Sequence, residues 1–72
     1  MDEKFKEELI SFLMELVETD SKFSINRLQS KLYIGFTRAC RIKEFLLDNN
    51  IMSEDGFVIA NESHIKRSLL LM

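Results

Sequence analysis

The amino-acid sequence predicts a mainly α domain: three helices, then a small β-hairpin, then an extra C-terminal helix. Three observations carry that reading. Apolar residues recur at helical spacing in four stretches separated by polar, turn-forming residues. A lone glycine, Gly35, stands where two of these stretches meet. Asp55-Gly56 separates two short segments of β-type residues, a strong hairpin signal.

The first helix runs from about Asp2 to Glu18, with Phe5, Leu9, Phe12, Leu13 and Leu16 facing a core and Ile10 and Val17 widening the stripe. Its early acids suit the positive end of the helix dipole. Thr19-Asp20-Ser21 breaks the pattern, and Lys22-Phe23 reads as a very short strand leading to Ser24, an N-cap for the second helix. That helix buries Ile25, Leu28 and Leu32 and stops near Leu32. Gly35 then supplies the permissive backbone of a tight helix-helix turn, with Ile34 and Phe36 plugging into the core on either side.

The third helix spans about 36–48, is capped by Thr37, and turns Ala39, Ile42, Leu46 and Phe45 inward. Ile51-Met52 and Phe57-Val58-Ile59, joined through Ser53-Glu54-Asp55-Gly56, make the hairpin. Residues 61–72 form the added helix, capped by Asn61 or Ser63, with Ile65, Leu69 and Met72 on one side and Leu70 or Leu71 widening it. The whole, residues 1–72, is a single domain with the architecture of a winged helix-turn-helix, three helices plus a wing.

Composition narrows the function. Hydrophobic residues at 46% and charged residues at 31% fit a globular domain rather than a disordered tail. No apolar run exceeds four residues, and Asp2, Glu3 and Lys4 lack a signal-peptide layout, so no membrane span or leader is expected. A single cysteine, Cys40, fits a reducing, cytoplasmic setting and a packing role. With His64 also alone and glycine only at 35 and 56, no zinc site, phosphate loop or other cofactor site is expected, and no enzymatic activity. His64 reads as a surface residue.

Charge is unevenly distributed. Residues 1–20 carry seven carboxylates and two lysines, whereas Lys22 to Leu47 hold six cations against one anion, Glu44. The net charge of −2 hides this basic segment, and a ligand responds to the local field. Arg38 and Arg41, three apart on the third helix, are the leading candidates for DNA contact. One would read guanine in the major groove while the other holds a phosphate. Lys43, Arg27 and Lys31 are candidate phosphate contacts, and Thr37, like Ser24, can present helix N-terminal N–H groups to phosphate. Tyr33 offers a hydroxyl to phosphate or packs on the turn.

From Leu28-Gln29 through Leu32, Ile34-Gly35-Phe36, Arg38-Ala39 and Arg41-Ile42, the chain resembles the C-terminal γ domain of FtsK/SpoIIIE-type bacterial DNA translocases. The likeness covers about half the chain, from near Glu18 to near Met52. It departs from the family pattern at Ser30, Thr37, Cys40 and Lys43. The resemblance implies a winged helix that reads short duplex sequences, with Arg38 and Arg41 on the recognition helix. The expected role is therefore DNA binding through helix 36–48, in a translocase, a replication protein or a small regulator.

The expected partners are double-stranded DNA, a second copy through Ile65, Leu69 and Met72, and a larger parent protein or a recombination or replication partner. The competing class is a protein-interaction or dimerisation winged helix without direct DNA binding. The acidic first helix and the Glu54-Asp55 wing tip favour it.

Overall fold

The computed structural model describes residues 3–71. Four helices follow one another: α1 (Glu3–Thr19), α2 (Ile25–Leu32), α3 (Phe36–Asp48) and α4 (Glu62–Leu70). α1 packs against both α2 and α4, and α2 packs against α3. The apolar stripes meet in one core. α1 brings Leu9, Phe12, Leu13 and Leu16, α2 brings Leu28 and Leu32, α3 brings Ala39, Ile42 and Leu46, and α4 brings Ile65 and Leu69. Val17 falls outside the α1 stripe and is exposed. Among the described residues no helix is long and apolar enough to cross a membrane.

Two helix starts follow from side-chain chemistry. The Ser24 side chain accepts the Arg27 N–H at 3.4 Å, and Asn61 Oδ1 accepts the His64 N–H at 2.8 Å. α3 starts differently. Its N-cap is Gly35, which has no side chain to donate or accept, and Thr37 lies one residue inside the helix, so Thr37 does not cap it.

The wing is not a β-hairpin, and the winged-helix architecture is corrected accordingly. Among the described residues there is no strand, only an isolated antiparallel bridge between Met52 and Val58. The chain does reverse at Asp55-Gly56: the Gly56 N–H donates to Ser53 O at 2.9 Å, and the Ser53 N–H to Phe57 O at 2.9 Å. The arms are too short to build a ladder, and their residues are drawn elsewhere. Ile51 and Met52 are buried in the core, and both the Ile59 and Ala60 N–H groups donate to Ile51 O. The loop tip is strapped to the body by the Phe23 N–H donating to Gly56 O at 2.7 Å. Lys22-Phe23 is thus a connector, not a strand, held by this bond, by Lys22 over the Phe57 ring and by the edge-on contact of Phe23 with Phe12. An isolated two-stranded ribbon has little stability of its own, so a core-bound loop is the better solution.

α4 is likewise an element of the core. His64 fastens its first turn: the ring Nε2 lies 2.8 Å from Asn49 O at the end of α3, and since a carbonyl only accepts, Nε2 is the donor. His64 is therefore a structural clip and not a free surface residue.

Candidate nucleic-acid interface

α2 and α3 are joined by three residues, Tyr33, Ile34 and Gly35. Leu28 and Leu32 on one helix and Ala39 and Ile42 on the other are buried, the small Ala39 allowing close approach. The sharp reversal depends on Tyr33, which sits in the left-handed region at φ 54° and ψ 50° and caps α2 by donating its N–H to Gln29 O. Gly35 has φ −77° and nothing within 4 Å of where a Cβ would stand, so its role as the permissive turn residue is overturned. Ile34 packs against the core, but Phe36 does not: it is 64% exposed.

Helical periodicity places Thr37, Arg41, Glu44 and Asp48 on the α3 face opposite the buried Ala39-Ile42-Leu46 stripe, and all four are exposed. The N-terminal half of that face carries one cation, Arg41, and the C-terminal half two anions, Glu44 and Asp48. The part of α3 that suits a polyanion is therefore its N-terminal half. Arg41 is open to solvent and, among the described residues, forms no ion pair with Glu44, Asp48 or any other carboxylate.

Arg38 is held differently. Its guanidinium carbon lies 4.4 Å from the centroid of the Phe5 ring, a cation–π contact that ties α3 to the start of α1. The two arginines are thus neighbours with separate environments. Lys43 and Arg27 are exposed and without an ion pair among the described residues, while Lys31 Nζ lies 3.5 Å from Glu15 on α1. Arg27 and Lys31 line an open cleft of about 500 Å³ between α1 and α2, shared with Phe12, Glu15, Leu16 and Ser30. Glu15 in that cleft opposes an anionic ligand.

The structure relocates the candidate self-association surface. Ile65 and Leu69 are buried against α1 within the chain, so they cannot also face a second copy, and Met72 lies outside the described residues. What α4 exposes is Leu70, at 74%, and Leu71, at 83%, just past its end. Beside Leu70 is a groove of about 260 Å³ formed by Ile10 and Leu69 and edged by Glu3, Lys6, Glu7 and Lys66. Among the described residues, no group of His, Cys, Asp and Glu side chains is placed to hold a metal ion.

Sequence reasoning missed the strain at Tyr33 and the exposure of Phe36. The available signal was the identity of the left-handed residues. Asp20 and Asn50 also have positive φ, and both are types that tolerate it. Tyrosine is not. Comparison of the chain with protein-family profiles, curated proteins and solved structures gave no match.

Proposed function

We propose that this chain is a non-enzymatic DNA-binding module that presents the N-terminal half of α3 to duplex DNA. The observation that carries the reading is Arg41. It is exposed and, among the described residues, without an ion pair, on the outward face of the second of two helices joined by a three-residue turn. Arg38, Thr37 and Lys43 flank that approach, and Arg27 supplies positive potential from α2, where the charge of Lys31 is offset by Glu15. The resemblance of Leu28–Ile42 to the translocase γ domain supports the same assignment.

The test is anisotropy of a fluorescein-labelled mixed-sequence duplex at two salt concentrations. Binding weakens steeply from 50 to 200 mM salt, as expected for phosphate contacts. Arg41→Glu lowers affinity by about tenfold or more with the melting temperature unchanged, since losing one arginine contact costs about 1–3 kcal/mol. Wild-type affinity in that variant would remove α3 from the interface.

A second reading applies to α4. The exposed Leu70 and Leu71, beside a groove edged by two glutamates and two lysines, favour contact with a second copy of this chain. Two-fold pairing would set the lysines of one edge against the glutamates of the other. Light scattering on Leu70→Ser/Leu71→Ser, compared with the unaltered chain at tens of micromolar, tests it. Equal apparent mass in both ends the reading.

A further inference from the structure

The α2–α3 turn carries two rings that the fold does not use. Tyr33 is 92% exposed, and Phe36, at the first position of α3, is 64% exposed. Tyr33 also holds a left-handed backbone conformation that disfavours any residue with a branched or bulky side chain. Asparagine or glycine would satisfy the same cap with less strain, and the exposed ring adds nothing to the core. Strain and exposure on one residue point away from folding and toward a ligand.

The surroundings restrict that ligand. No carboxylate occurs in the sequence between Asp20 and Glu44, whereas Lys22, Arg27, Lys31, Arg38, Arg41 and Lys43 fall in that interval. Lys31 is paired with Glu15 on α1, but Arg27, Arg41 and Lys43 are without an ion pair among the described residues. Two exposed rings in this net-cationic segment therefore suit a molecule that is both anionic and aromatic. In a duplex the base faces are already stacked on one another. Unpaired bases offer theirs, and base–aromatic stacking tolerates any sequence.

We propose that Tyr33 and Phe36 form a stacking ledge for unpaired bases, so that the module holds single-stranded DNA next to the α3 surface. The proposal rests on the DNA-binding reading of α3 and extends it to the strand form recognised. The chain has one tyrosine and no tryptophan, so intrinsic tyrosine emission reports on Tyr33 alone.

The experiment titrates the intact chain with a fifteen-nucleotide oligo-dT and with a mixed-sequence duplex of the same length. Oligo-dT is expected to quench the Tyr33 emission. Its affinity, read by anisotropy of a labelled oligo-dT, is expected to fall about tenfold in Tyr33→Asn and again in Phe36→Ser. Neither variant should lose melting temperature, and Tyr33→Asn should gain a few degrees from relief of the left-handed strain. Oligo-dT binding with unchanged emission, or equal affinity in both variants, overturns the ledge. Duplex bound through Arg41 with no oligo-dT binding overturns the ledge and leaves the α3 reading standing. Binding of neither probe overturns both.

Discussion

Two exposed apolar patches, one on the α2–α3 turn and one at the end of α4, differ in every respect except exposure. Tyr33 and Phe36 are aromatic, lie in the segment that contains no carboxylate before Glu44, and include a residue held in an unfavourable backbone region. Leu70 and Leu71 are aliphatic, unstrained, and bordered by charges of both signs. Aliphatic side chains with balanced charges suit a protein surface. Aromatic rings in a net-cationic segment suit nucleic acid. The contrast shows why exposed apolar area alone says little about a partner until its electrostatic setting is included.

The sharpest way to break the comparison lies on α4, where adjacent leucines should behave oppositely. Leu69 is 1% exposed and packs into the core, so Leu69→Ala is expected to destabilise the domain by about 2–5 kcal/mol in chemical denaturation. Leu70→Ser/Leu71→Ser should change stability by less than about 1 kcal/mol, because surface substitutions away from special features have small effects. Equal losses from the two would mean that the end of α4 is packed as a whole, and the surface patch would disappear.

The same α4 helix shows what was legible in the sequence. Its periodicity identified a helix and its buried stripe, as for α1, α2 and α3, because a period of 3.6 needs only local information. The Ser24 and Asn61 caps were readable for the same reason. Assigning Ile65 and Leu69 to a dimer contact failed because periodicity tells which residues are buried, not against what. The His64–Asn49 clip and the Arg38–Phe5 contact join residues remote in sequence and left no local trace. The hairpin was overestimated because Asp55-Gly56 specifies a reversal while saying nothing about ladder length. At the candidate site the basic segment and Arg41 were visible, whereas the strain at Tyr33 was hidden by a nearby glycine that offered a more conventional turn residue.

A smaller effect separates the two arginines. Arg38 stacks on Phe5 and so contributes to the fold, whereas Arg41 touches no partner among the described residues. Arg38→Ala should lower stability by about 0.5–1 kcal/mol, the usual size of an exposed cation–π contact, and Phe5→Leu should cost a similar amount. Arg41→Ala should leave stability unchanged. A double-mutant cycle of Arg38 with Phe5 measures the coupling. Additive losses would show that the contact carries no energy, and Arg38 would then be as free for DNA as Arg41.

The smallest expected effect concerns Gly35, and its sign is the informative part. A glycine in a tight turn is ordinarily irreplaceable because it holds positive φ or lets another chain segment pass close by. Gly35 does neither: φ is −77°, ψ is 169°, and the space around its missing Cβ is open. It occupies the N-cap of α3 in the extended conformation where serine caps well. Gly35→Ser therefore adds an acceptor for an N–H of the first turn, which contributes a few tenths of a kcal/mol. It also restricts the unfolded chain, a gain of about 0.4–1 kcal/mol for a residue that fits the native backbone. The variant should be more stable by about 0.5–1 kcal/mol in chemical denaturation. Gly56→Ser provides the control: φ there is +93°, a backbone conformation that side chains strain to adopt, so stability should fall. Destabilisation by Gly35→Ser as large as that by Gly56→Ser would return the turn to Gly35 and take the strain argument away from Tyr33.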